Sequence, residues 1–169
     1  MKKALLIICC LTICMAATAQ PPRISIIRTV GKKVTNVQLP NTKGVMCNLT
    51  DYVGKKNVVL IDFWASWCRP CMEEMSYVRT AYNRYHKHGF NIVGISLDNN
   101  PAEWKAAIKN FKLNWTHLSD LQGWNNAAAQ KYGIISIPSS ILVNKQGKII
   151  ANDLRGEELL MRLRQIYGK

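Results

Sequence analysis

Val58-Val59-Leu60-Ile61-Asp62-Phe63-Trp64-Ala65-Ser66-Trp67-Cys68-Arg69-Pro70-Cys71 is the stretch that decides how this chain folds. It opens with an apolar run, Val58 to Ala65, broken only by Asp62, the pattern of a central strand. A helix follows from near Cys68 to His88: Met75, Val78, Tyr82 and Tyr85 recur at 3-4-3 spacing, and Gly89 supplies the stop. The two cysteines therefore stand where a buried strand gives way to a helix. A thiol at a helix start feels the positive end of the dipole and unpaired backbone N–H groups, and both favour thiolate. The two intervening residues put Cys71 one turn in, close enough to bond Cys68. Pro70 has no N–H to leave unpaired in that first turn. Such a pair is built to cycle between dithiol and disulfide.

Other uses of this spacing fit less well. Zinc wants four ligands, but the chain has no second CxxC, and His86 and His88 are only two apart. Attachment of a c-type haem needs His straight after the second cysteine, where Met72 stands. A purely structural disulfide gains little entropy from closing so short a loop. The expectation is a redox-active Cys68–Cys71 disulfide with no metal and no separate cofactor.

Working outward, Val37–Leu39 and Val45–Leu49 flank the turn Asn41-Thr42-Lys43-Gly44 and predict a short hairpin. Asn91–Leu97 predicts a second strand. Asn100, Pro101 and Glu103 are a cap, a first helical residue and a capping-box partner for a helix ending near Lys112. Trp115–Leu118 predicts a strand, Trp124–Tyr132 a helix closed by Gly133, and Ser139–Val143 with Lys148–Ala151 a hairpin. Gly156–Tyr167 is a closing helix with Leu159, Leu160, Leu163 and Ile166 on one side. Strands alternating with helices and ending in a hairpin predict an α/β fold, a mixed central sheet flanked by helices.

At the other end, Lys2 and Lys3, the apolar run Leu5–Met15 and the small residues Ala17-Thr18-Ala19 follow the plan of a secretory signal peptide over residues 1–19. The run is well short of the roughly 20 residues of a spanning helix, so an N-terminal anchor is the weaker reading and a soluble exported protein the stronger. No cysteine in it follows a small residue, as a lipid anchor would want. Cleavage changes the counts. The chain has 169 residues, 23 Lys+Arg, 10 Asp+Glu and six cysteines; Cys9, Cys10 and Cys14 would leave, as would two lysines, taking the net charge from +13 to +11. Three remaining cysteines cannot form a framework of staples. Outside the cytosol disulfides form and persist, which makes an exported CxxC chemically meaningful.

The length suits one domain, and 48% hydrophobic with 20% charged residues excludes a disordered tail, a collagen and a multi-span membrane protein. Residues 20–36 are expected to be a mobile basic lead-in. Arg23, Arg28, Lys32, Lys33, Lys43, Lys55 and Lys56 crowd the N-terminal third without any stacking motif, so nucleic acid is not expected as a partner. A solvated face is the first reading of that charge, and contact with an anionic membrane surface or an acidic partner the second. Cys47 reads as a small apolar filler. Trp67 should border a substrate groove, and Trp64, Trp104, Trp115 and Trp124 should be core or half-buried.

Taken with these features, the opening stretch resembles the active-site signature of the thioredoxin superfamily. The signal peptide, the hairpin leading through Leu49-Thr50-Asp51, Glu74 three residues after Cys71, the helix and strand at about 101–118, and Gly133-Ile134-Ile135-Ser136-Ile137-Pro138 are similar to its exported TlpA/ResA-like branch. The resemblance covers about residues 37–169. It implies a thioredoxin fold with an N-terminal β-hairpin and a central α/β insertion. It implies that Cys68 attacks a client disulfide and Cys71 resolves the mixed disulfide. Trp67, Arg69 and Pro70 would line the client groove. Pro138 would be a cis-proline packed against the motif, leaving the Ile137 backbone free to pair with a client strand; a trans-proline opening a strand is the alternative.

Two acids compete for the proton. Burial of Asp62 would raise its pKa towards neutrality, so that it could exchange a proton with Cys71. It matches the buried acid of thioredoxin, whereas Glu74 matches the acid of the branch; a favourable charge in the first helical turn is the plainer reading of Glu74. Two departures from the branch stand out: Ser76 where a proline is common, and Arg69 where glycine is common. The implied function is an exported, periplasmic thiol–disulfide oxidoreductase that reduces client disulfides and is re-reduced by an upstream membrane thiol donor, with cytochrome c maturation as a client pathway. A disulfide-forming oxidase would share every residue named. A peroxiredoxin-like antioxidant has the same fold, but residues 61–68 lack the Pro and Thr that a peroxidatic cysteine needs.

Overall fold

The computed structural model describes residues 30–168. The signal-peptide stretch and residues 20–29 of the lead-in lie outside them. In chain order the elements are β1 (Gln38–Pro40), β2 (Met46–Asn48), β3 (Val58–Trp64), α1 (Arg69–Tyr85), β4 (Phe90–Ser96), α2 (Pro101–Asn110), β5 (Thr116–Leu118), α3 (Ala127–Tyr132), β6 (Ser139–Val143), β7 (Ile149–Asn152) and α4 (Gly156–Tyr167). β1 and β2 form the hairpin, while the other strands make a mixed sheet ordered β5-β4-β3-β6-β7. β3, β4 and β5 are parallel; β6 runs antiparallel to β3, and β7 to β6.

The central position of β3 explains its composition: all seven of its residues are buried. Alternation along it divides the molecule. Phe63 points one way, onto Tyr132 of α3, with ring centroids 6.2 Å apart. Asp62 and Trp64 point the other way. On that side α1 and α4 pack together, and a run of aromatic contacts leads from Trp64 through His117 and Trp115 to Tyr82 of α1. The hairpin belongs to the same core, because Leu39 and Leu49 are fully buried.

Local signals set most boundaries. Gly89 stops α1 and the short turn after it in the left-handed conformation, φ +89°. The Asn100 side chain accepts from the Ala102 and Glu103 N–H groups at the start of α2 and donates its own amide to Glu103. The helix expected from Trp124 is shorter than its pattern suggested. Asn126 breaks it, since its side chain caps the N–H groups of Ala128 and Ala129, leaving Gly123–Asn125 as a separate turn.

The lead-in is tied down where it is described. Gly31 and Val34 donate backbone bonds to the carbonyls of Ile149 and Gly147, and the Lys32 carbonyl accepts from Ile149. The Tyr132 hydroxyl then donates to the Thr35 carbonyl at 2.6 Å. The mobility expected of 31–36 from its breakers is overridden by these bonds along the β7 edge.

Candidate active site

Cys68 occupies the N-cap of α1, in extended conformation, and its sulfur accepts the Cys71 N–H at 3.2 Å. One helical turn brings the two Cα atoms to 5.2 Å, and the sulfurs are bonded as a disulfide. Arg69 and Pro70 fill the loop between them and are exposed; Arg69 leans along the helix to Glu73 at 3.2 Å. The Cys68 N–H bonds the Ala65 carbonyl, so the chain reverses tightly between β3 and α1.

That reversal is fastened by a residue that the sequence reading missed. Asp98, just past β4 and fully buried, receives the Ser66 N–H at 3.1 Å and the Ser66 hydroxyl at 2.5 Å. Its other oxygen takes the Ser96 hydroxyl at 2.6 Å. A carboxylate with several donors is a strong anchor. The available signal was a lone acid ending an apolar strand, Ile95-Ser96-Leu97-Asp98, which is also what a strand terminator looks like.

Beneath the disulfide-bearing helix sits Asp62, 3% exposed, with its Oδ2 lacking any hydrogen-bond partner. Burial pushes its carboxyl up from 3.8 to about 7; Glu74 adds to the rise and Arg155 opposes it. Glu74 does not serve as a first-turn charge on its own helix. Its Oε1 instead accepts the Gly156 N–H at 2.6 Å, joining α1 to the start of α4. Asp62 is therefore the acid with an open oxygen and a near-neutral pKa, while Glu74 has a structural bond to keep.

The Ile137–Pro138 peptide is cis, not the trans alternative. Phe63 pairs with Ser139, so Pro138 lies beside the end of β3 from which the cysteine motif springs. Its carbonyl accepts from the Arg155 guanidinium. Trp67, beside Cys68, is half exposed. Trp124, expected to be core or half-buried, is 44% exposed, with its ring centroid 6.3 Å from that of Trp67. Among the described residues Ile135, three positions before Pro138, is the most exposed large apolar side chain. Among the described residues no cluster of three or more His, Cys, Asp or Glu could hold a metal ion.

The Redoxin family model matches residues 29–159. The chain belongs to the Redoxin family. Among curated relatives, the thiol-disulfide oxidoreductase ResA of Bacillus thuringiensis subsp. konkukian is 30% identical over 140 residues, 83% of this chain and 78% of that one. ResA of Bacillus subtilis is 30% identical over 121 residues, covering 71% and 64%. Among solved structures, a thiol-disulfide oxidoreductase from Bacteroides fragilis superposes with a TM-score of 0.74 at 34% identity over 80% of this chain and 99% of that one. The thioredoxin domain of a thiol-disulfide oxidoreductase from Bacteroides vulgatus gives 0.74 at 31%, covering 82% and 98%. This Redoxin member has the thioredoxin fold and is a protein thiol–disulfide oxidoreductase, an enzyme whose redox group is a cysteine pair.

Proposed function

We propose that this protein is an exported reductant of disulfides in client proteins. The Cys68 thiolate attacks one sulfur of a client disulfide; a mixed disulfide forms and the other client sulfur leaves as thiolate. Asp62 then takes the Cys71 proton, and Cys71 attacks Cys68 Sγ. The client's second sulfur departs, and two electrons have passed from the pair to the client. The oxidised pair is returned to dithiol by an upstream membrane thiol donor. The observation that carries this reading is the Cys68–Cys71 pair at the start of α1 with the buried Asp62, its Oδ2 unpartnered, on the strand that leads into it; burial pushes that carboxyl up to about 7. A base with that pKa accepts a proton near neutral pH, which releasing a client requires.

Export rests on the N-terminal plan of charge, apolar run and small residues. In the periplasm, clients of cytochrome c maturation suit such a reductant. No helix among the described residues is long and apolar enough to cross a membrane. Lys32, Lys33, Lys43, Lys55 and Lys56 are exposed, which supports contact with an anionic membrane surface near the donor.

Cys71→Ser should trap clients on Cys68 in the exported fraction, and an empty trap would sink the reading. A reduction potential near or below about −270 mV supports the reducing direction, whereas one near about −120 mV would make the enzyme an oxidase.

A further inference from the structure

Two residues at the start of α4 touch both walls of the site. The Gly156 N–H holds Glu74 of α1 at 2.6 Å, and the Arg155 guanidinium donates to the carbonyl of Pro138, on the loop before β6. Neither contact is a bond within helix α4. Arg155 is its N-cap residue in extended conformation and makes no side-chain cap, which leaves the guanidinium free to reach across.

We propose that Arg155 is a positioning residue for disulfide exchange: it clamps the client-facing loop at Pro138 while its neighbour Gly156 fixes Glu74, and its charge balances the buried Asp62. The clamp also takes the Pro138 carbonyl out of play, leaving the Ile137 backbone as the part of that loop available to a client strand.

The charge balance follows from what surrounds Asp62. From α1 come Glu74 and the helix bearing Cys71; ahead of α4 comes Arg155. Ser140 of β6 lies opposite in the sheet, and His117 of β5 lies beyond Gly94. His117 is held neutral at ordinary pH by its burial. Arg155 is thus the cation that opposes the pull of Glu74 on Asp62. Removing it should make Asp62 a base only at higher pH.

The inference rests on the reading of Asp62 as proton acceptor, and its test separates the two. The full chain carrying Arg155→Gln, Arg155→Lys or Asp62→Asn is assayed for reduction of a disulfide-bonded peptide as a function of pH, alongside urea denaturation. Arg155→Gln should raise the midpoint of the rising limb by about one pH unit, the lower end for loss of an opposite charge, and cut kcat/KM about tenfold. Arg155→Lys, which keeps the charge but not the planar fork, should leave the midpoint in place and still lose turnover. Asp62→Asn should abolish the limb; if the limb survives, the proton-acceptor reading fails. An unmoved midpoint in Arg155→Gln, or full turnover in Arg155→Lys, overturns the clamp. A lowered urea midpoint with neither kinetic change makes Arg155 structural only and overturns it as well.

Discussion

The carboxylate of Asp98 receives both the backbone N–H and the hydroxyl of Ser66, two residues ahead of Cys68. The end of β4 thereby sets where the turn into α1 begins, and the nucleophile is placed from a neighbouring strand. Asp98→Ala would leave the Ser66 N–H and two hydroxyls without their acceptor in a buried setting. It should cost about 2–4 kcal/mol in urea denaturation and slow disulfide exchange. Asp98→Asn keeps one acceptor oxygen and should cost less, about 1–2 kcal/mol.

Asp62 and His117 lie on one row of the sheet, either side of Gly94, and burial shifts them in opposite directions. Burial lifts the Asp62 carboxyl from 3.8 to about 7. The folded chain then holds a proton that the unfolded chain has lost, and stability falls as pH rises through that window. Burial pushes His117 down from 6.5 to about 4. There the unfolded chain holds the extra proton, and stability rises with pH. At 1.36 kcal/mol per pH unit the two effects are worth about 4 and about 3 kcal/mol, so they nearly cancel between about pH 4 and 6.5. Urea midpoints across that range should stay flat in the wild type. They should rise with pH in Asp62→Asn and fall in His117→Gln, which keeps a donor for the Leu113 carbonyl.

Gly94 is small because its neighbours need the room. A Cβ there would sit 2.7 Å from His117 Nδ1 and 3.0 Å from Trp64 Nε1. Gly94→Ala should destabilise by about 1–3 kcal/mol through overpacking, read in thermal or urea unfolding.

Trp67 and Trp124 are neighbouring exposed rings beside the cysteine pair, and in the proposed function they would grip large clients. Trp67→Ala should raise KM for a disulfide-bonded protein about tenfold, a loss of about 1.4 kcal/mol, while leaving exchange with a small disulfide nearly unchanged. An equal loss for both would move Trp67 from client binding to the chemistry.

The regular elements were legible because each carried its own signal. The apolar run at 58–65, the 3-4-3 spacing after Cys68 and the cap at Asn100 all act within a few residues of the chain. The cysteine pair was legible for the same reason. The roles of Asp98 and Arg155 were not. Asp98 acts on Ser66 from 32 residues away and Arg155 on Pro138 from 17, and one acid or one arginine in a loop has no periodicity to mark it. Glu74 was found as a residue, but its bond to Gly156 spans 82 positions, and only the packing of α1 on α4 makes that contact.

The bonded stretch from Gly31 onward spans the sheet from rim to rim. Its first residues lie along β7, where Lys33 bridges Lys148, and the same stretch reaches the opposite rim of the sheet, where Asn41 bridges Leu118 and the Pro40 carbonyl takes the Ser119 N–H. The chain thus straps one end of each outer strand with its own backbone. An exposed strand edge invites any extended polypeptide to add to it. An enzyme whose clients present extended segments would otherwise risk joining them in a shared sheet. By fastening one end of each rim with one continuous segment, this fold leaves less free edge on which another extended chain could add.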